Sequence, residues 1–164
     1  ATRVNQENRI KLMLAVDKMR KKKHKAALDK IEEAKLWPRN LGVGKPYDEV
    51  IDTRLEDWLS FVAAERGGLK GQREHFLQRL VGSNVNTPEY LLLQSAAWHI
   101  AGDETKARKL ADGWFAAQKD ETAHRNGKEF LEVVGRGEYA SDTALDFYKP
   151  LIQTLTAKAD NRLF

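Results

Sequence analysis

The chain has 164 residues, of which 28 are basic and 24 are acidic, so its formal net charge at pH 7 is +4. It contains no cysteine, which excludes disulfides, thiolate metal ligands and cysteine nucleophiles and suits reducing and oxidising compartments equally. Because no apolar run approaches the ~18 residues of a membrane span, the composition predicts one globular domain over residues 1–164 without a membrane segment.

Apolar residues at helical spacing predict four helices in the first half of the chain. The first of them is marked by Ile10, Leu12, Met13, Leu14, Val16 and Met19. The second ends at Pro38, because proline disfavours helix at the residue before it, and the third ends at Gly67-Gly68. Residues 38–47 contain two glycines and two prolines and are predicted to form a long loop. The four helices are expected over about 4–19, 26–37, 53–66 and 70–81.

The second half of the chain is predicted to hold the remaining helices. Thr87-Pro88 is typical of a helix start, with the threonine hydroxyl as cap and proline in the first turn. This fifth helix ends at Gly102, and Asp103 caps the sixth. A seventh covers about 122–134, and a last one begins at Ser141-Asp142 and is expected to kink or restart at Pro150. No segment alternates with the period of a half-buried strand, so the sequence predicts an all-α fold of about 7–8 helices.

Small and large residues recur in a way that resembles the tetratricopeptide motif, whose period is 34 residues. The matching positions are Leu14, Ala15, Ala27, Ile31, Ala34 and Pro38; then Leu59, Ser60, Gly67 and Phe76; then Ser95, Trp98, Gly102 and Ala107. The anchors 27, 72 and 107 lie 45 and 35 residues apart, although Gln72 departs from the small-residue consensus. The resemblance implies an α-α superhelix of antiparallel helix pairs, at about 4–37, 52–82 and 87–119, with a degenerate terminal pair at 122–160.

The segment 37–48, with the sequence WPRNLGVGKPYD, carries a second resemblance. It is similar to the loop in the tetratricopeptide-rich C-terminal part of large bacterial proteins of unknown function, whose upstream half often looks carbohydrate-associated. This similarity implies that the chain is a fragment of a larger bacterial protein. It also makes Trp37, Lys45 and Tyr47 candidates for contacts with a ligand or partner.

No catalytic, cofactor or metal site is predicted. Gly42-Val43-Gly44-Lys45 lacks the strand, the glycine spacing and the hydroxyl of a phosphate-binding loop. The four histidines are too far apart in sequence to pair on a helix. His24 and His124 are expected to be solvated, and His75 and His99 half-buried. Neighbouring carboxylates such as Glu32-Glu33 point ~100° apart, so they do not converge on a substrate.

The basic run Arg20–Lys25 lies at the predicted turn between the first two helices. Phosphates could bind there, but the run has no aromatic residue for base stacking and the chain as a whole has a mixed charge. A solvated turn, with no nucleic acid bound, is the preferred interpretation.

The predicted function is a non-catalytic scaffold for protein–protein or interdomain contacts. In tetratricopeptide arrays the first helix of each pair lines a concave groove, so the resemblance implies a binding surface there for a protein or peptide segment. The candidate residues are Arg9, Val16, Arg20, Arg54, Asp57, Phe61, Glu65, Leu92, Ala96 and His99. The alternative is an accessory domain that supports a carbohydrate-handling enzyme domain encoded upstream.

Overall fold

The computed structural model describes residues 3–37 and 52–162, with side chains described over 6–37 and 52–156. These residues form an all-α structure, and no strand occurs among them. In chain order the helices are α1 (Arg3–Arg20), α2 (His24–Ala34), α3 (Arg54–Arg66), α4 (Lys70–Val81), a short 3-10 turn (Pro88–Tyr90), α5 (Leu91–Ala101), α6 (Glu104–Ala117), α7 (Glu121–Gly135) and α8 (Asp142–Arg162).

The helices pack as neighbouring antiparallel pairs in an α-α superhelix. α1 packs against α2, α3 against α4 and α5 against α6, and successive pairs meet because α2 also contacts α3 and α4 contacts α5. The apolar side chains between them form one buried cluster to which all eight helices contribute, with Trp58 and Trp114 among its largest members. The fold class predicted from helical periodicity is confirmed.

Four turns at one end of the stack share a backbone motif. In the turns that follow α1, α3, α5 and α7, one residue adopts a positive φ, namely Lys22 (61°), Gly68 (67°), Gly102 (96°) and Gly137 (73°). Its amide and the next one reach back to the helix in the two hydrogen bonds of a Schellman cap. One of the two bonds spans five residues. It runs from the amides of residues 23, 69, 103 and 138 to the carbonyls of residues 18, 64, 98 and 133, with N–O distances of 2.8 to 3.0 Å. The four turns are therefore built alike, with glycine in three and lysine in the first.

The last helix returns to the first. Side chains of α8 form ion pairs with α1, Arg20 to Asp146 at 2.6 Å and Lys149 to Asp17 at 2.6 Å. Arg9 of α1 also donates to the hydroxyl of Thr156 at 3.1 Å. The buried face of α8 comprises Ala144, Leu145, Tyr148, Leu151, Ile152, Leu155 and Thr156. α8 thus lies along the side of the stack to which α1 contributes.

Central position explains why α3 is buried on all sides. Every side chain of this helix from Arg54 to Ala64 is buried, including three charged residues. α3 touches α1, α2, α4 and α5, and its aromatic side chains also meet Phe130 of α7 and Tyr139 of the following turn. The charged residues of α3 must therefore find partners within the chain.

Two local expectations are corrected. Thr87 does not cap the helical turn that it precedes, because its hydroxyl accepts from Arg54 at 2.6 Å and donates to Asp52 at 3.1 Å. α8 does not restart at Pro150, which lies inside one helix. Proline removes one helical hydrogen bond, but Tyr148, Leu151 and other buried residues hold the helix on both sides of the exposed Pro150.

Candidate interaction surface

The predicted groove residues of α3 and α5 are covered by the chain itself. Arg54, Asp57, Phe61 and Leu92 are all buried. Val16 and Ala96, on the same predicted face, are buried as well. These side chains contact other helices of the same chain, and solvent does not reach them in this structure. Their predicted role at a partner interface would require the helices that cover them to move.

Arg54 is held in a polar network that joins three parts of the fold. Its Nε and Nη2 donate to the two carboxylate oxygens of Asp52, at 2.9 and 2.7 Å. Nη1 donates to Gln94 of α5 at 2.7 Å, and Nη2 also reaches the carbonyl of Thr87 at 2.9 Å. The guanidinium lies 5.6 Å from the centre of the Tyr90 ring. A bidentate arginine–carboxylate pair of this kind has a fixed geometry. Because both charges are neutralised where water is excluded, the pair has a structural role.

Asp57 connects α2, α3 and α4 in a similar way. One carboxylate oxygen accepts from Lys35 at 3.3 Å and from Arg79 at 3.1 Å, and the other accepts from Thr53 at 2.8 Å. Lys35 also lies over the Phe76 ring, 5.4 Å from its centre. The buried carboxylate is thus compensated by two cations, one directly after α2 and one in α4.

Phe61 belongs to an aromatic cluster at the meeting point of α3, α7 and α8. Its ring lies 5.4 Å from that of Trp58 and stacks at 5.5 Å on that of Tyr139. Trp58 meets Phe130 edge to face at 5.3 Å. Tyr148 donates its hydroxyl to the carbonyl of Tyr139, and burial raises the pKa of this phenol. The cluster therefore fills the place that the repeat resemblance assigns to a groove at α3.

Glu65, a further predicted groove residue, lies at the solvent-facing edge of the same aromatic cluster, next to Tyr139. Its carboxylate accepts from Arg73 and from the hydroxyl of Tyr139, both at 2.8 Å. Burial raises the pKa of Glu65, but these two hydrogen bonds outweigh it, so the pKa lies below its usual value. Burial and the bond to Glu65 raise the pKa of Tyr139. Glu65 is therefore a charged acceptor that fixes the turn before α8.

The remaining predicted groove residues lie apart from one another. Arg9 and Arg20 are both on α1 and both bind α8, through Thr156 and Asp146. His99 lies at the end of α5, half-buried and hydrogen-bonded to Glu104. The structure therefore brings Arg9 and Arg20 to one side of the stack but places His99 in a different turn.

Two histidines differ from expectation. His75 is exposed, whereas His24 is half-buried with its Nε2 atom shielded from solvent. His24 packs so closely on the α3–α4 turn that a Cβ at Gly67 would lie 3.0 Å from its own Cβ. Burial, together with the charges of Arg66 and Lys22, lowers the pKa of His24. The contact between two turns, which sequence spacing cannot show, accounts for the burial of His24.

The loop candidates fall mostly outside the part of the chain that the structure describes. Lys45 and Tyr47 lie in the range 38–51, which is not described. Trp37 is half-buried just after α2, and its amide donates to the carbonyl of Ala34 at 3.0 Å. The accessory-domain alternative depends on this loop and remains a prediction.

The outer face of α1 exposes two apolar residues that the sequence pattern groups with the core. Ile10 is 52% exposed and Leu14 is 40% exposed. At 3.6 residues per turn these two lie on one side of the helix, and Leu12, which is fully buried, lies about 160° away from Ile10. α1 touches α2, α3 and α8 with its other sides. Ile10 and Leu14, which we call the α1 outer face, are therefore left without a covering element among the described residues.

The basic turn between α1 and α2 is also exposed. Lys21, Lys22, Lys23 and Lys25 are all exposed, and none forms an ion pair with any residue that the structure describes. Arg20, at the end of α1, is paired with Asp146. We call residues 20–25 the basic turn.

Comparisons with known proteins add no relative: no family model, curated protein or solved structure matches the chain. Within residues 3–37 and 52–162, no three histidine, aspartate or glutamate side chains are grouped so as to hold a metal ion. Over the same ranges, no helix combines the length and the apolar character needed to cross a bilayer.

Proposed function

We propose that the chain is a non-catalytic scaffold for protein–protein or interdomain contacts, and that it receives a helical segment of its partner on the α1 outer face. The observation that supports this is the exposure of Ile10 and Leu14, at 52% and 40%, on the side of α1 that no other described helix covers. Exposed apolar side chains that lie side by side mark interaction surfaces, and Ile10 and Leu14 are neighbours on the outer side of α1.

The spacing of the two residues favours a helical partner. Ile10 and Leu14 are four residues apart, so their side chains form a short ridge along the helix. Such ridges pack between the side chains of a second helix. Lys11 beside them is half-buried and lies 3.8 Å from Glu33, so it borders the ridge without covering it. The partner segment is either another domain of the same polypeptide or a separate protein.

Affinity capture with the chain as bait tests this function. The variant Ile10→Glu/Leu14→Glu places two charges on the ridge, and Leu36→Glu is the matched control because Leu36 is 77% exposed after α2. We expect the double variant to lose a partner that wild type and control both retain, since burying an unpaired charge costs several kcal/mol. Circular dichroism would establish that all three proteins are folded. Equal recovery of every partner by both variants would contradict the proposal.

A further inference from the structure

The basic turn and the two residues before it hold the excess positive charge of the chain. Residues 18–25 include six lysines and arginines and no acidic residue. The other 156 residues contain 22 basic against 24 acidic side chains, which is a net charge of −2. The net charge of +4 therefore arises from one turn at one end of the stack, and a concentration of this kind attracts anions by its local field.

The backbone conformation of this turn also indicates a function for its lysine side chains. Lys22 has a φ of 61°, the conformation that glycine adopts in the three equivalent turns. An L-residue in this left-handed region is strained by roughly 1–2 kcal/mol relative to glycine. Strained backbone is found preferentially where a side chain has a function. Lysine thus occupies the apex of the turn although glycine suits the backbone better.

We infer that the basic turn binds an acidic polypeptide segment. The same end of the stack already binds carboxylates that a polypeptide presents four residues apart. Arg66 pairs with Asp142 at 2.9 Å and Arg20 pairs with Asp146 at 2.6 Å, both on the first turns of α8. The four lysines of the turn extend this surface with cations that have no partner among the described residues.

The side chains present distinguish this partner from other polyanions. The turn carries no aromatic residue on which bases could stack. Met19, the apolar residue directly before the turn, is fully buried and so is not placed to insert into a bilayer. The inference does not depend on the α1 outer face, because none of its residues belongs to the basic turn.

Fluorescence anisotropy provides the test, with a labelled peptide of about a dozen residues, half of them glutamate, and the same peptide with glutamine as reference. The quadruple variant Lys21→Gln, Lys22→Gln, Lys23→Gln, Lys25→Gln is compared with a control that loses equal charge from exposed sites elsewhere. The control changes Lys109, Lys119, Arg125 and Lys128 to glutamine. We expect the turn variant to bind about tenfold more weakly or worse, since exposed ion pairs contribute modestly but add over four sites, and binding to weaken with salt.

Three results would overturn the inference. One is equal weakening by the two quadruple variants, which would assign binding to net charge alone. Another is tighter binding of single-stranded DNA, or of vesicles containing phosphatidylserine, than of the acidic peptide at the same ionic strength. The third concerns Lys22→Gly, which relieves the strained backbone while leaving the fold intact. We expect it to bind the peptide about two- to threefold more weakly. Unchanged affinity would mean that the acidic segment does not contact the apex of the turn, which contradicts the binding surface inferred here.

Discussion

Replacing Gly127 of α7 with alanine sets two energies of opposite sign against each other. Alanine favours helix over glycine by about 1 kcal/mol. An added Cβ at Gly127, however, would lie 2.6 Å from Cη2 of Trp114, and closer still to Cζ3, where ordinary contacts begin near 3.4 Å. Trp114 cannot easily withdraw, because it is fully buried and its Nε1 donates to the carbonyl of Glu89 at 3.1 Å.

Overpacking of this degree costs roughly 3 kcal/mol, the upper part of the range for a filled core. Net of the gain in helix propensity, Gly127→Ala should lower the free energy of unfolding by about 2 kcal/mol. For a chain of this length that loss lowers the melting temperature by roughly 4–8 °C. Thermal and urea unfolding followed by circular dichroism would measure both quantities.

Gly71 supplies the matched control, because it lies in the first turn of α4 and a Cβ there would meet nothing within 4 Å. Gly71→Ala should raise stability by about 0.5–1 kcal/mol. A smaller ring at position 114, introduced as Trp114→Phe, should reduce the cost of Gly127→Ala in a double-mutant cycle. If Gly127→Ala proved as stabilising as Gly71→Ala, the close packing of α7 on Trp114 would be refuted.

Three further outcomes are expected. Lys22→Gly should stabilise the chain by about 1 kcal/mol, because glycine relieves the left-handed backbone; a lower urea midpoint would show that the turn is not strained. The pKa of His24 is lowered by burial and by Arg66 and Lys22, so the unfolded chain takes up this proton first as the pH falls. The contribution of His24 to the free energy of unfolding should therefore be complete above pH ~6.5 and decline below it by at most ~1.4 kcal/mol per pH unit. His24→Gln should flatten that decline. An unchanged dependence of stability on pH would count against the lowered pKa of His24. Phe61→Ala should cost about 3–5 kcal/mol, and a melting temperature equal to that of the wild type would mean that Phe61 is not in the core.

The helices could be predicted well from the sequence, because the residues that begin and end a helix act within a few positions of it. Gly67-Gly68 and Gly102 end α3 and α5 close to where expected, and the side chain of Asp103 accepts from the amide of Lys106 as a cap. Each of these features acts within one or two turns of helix. The all-α class follows directly from them.

Burial depended on contacts between distant helices, which periodicity cannot show. Ile10 and Leu14 fit the helical spacing of core residues, yet no described neighbour covers their side of α1. Conversely, Arg54 and Asp57 read as surface charges, but α3 is enclosed and both are neutralised inside the structure. The one sequence signal for enclosure was the predominance of apolar residues around α3, from Leu55 to Ala64.

The predicted groove residues do not line one open surface in this structure, because distant helices cover several of them. The repeat resemblance implies an open inner face, and that implication takes no account of the two helices beyond the third pair. Tyr139, Tyr148 and the rest of the aromatic cluster bring these last two helices onto α3. Only the pairing of residues more than seventy positions apart, such as Glu65 with Tyr139, would have revealed this.

The contact between α8 and α1 changes how the chain should unfold. In a linear array each repeat contacts only its neighbours, so the repeats can unfold one at a time from either end of the array. Here Arg9 and Thr156, which are 147 positions apart, share a hydrogen bond, so α1 and α8 hold each other in place. Amide protons of α1 and α8 should consequently exchange with solvent at matched rates, in a single concerted opening.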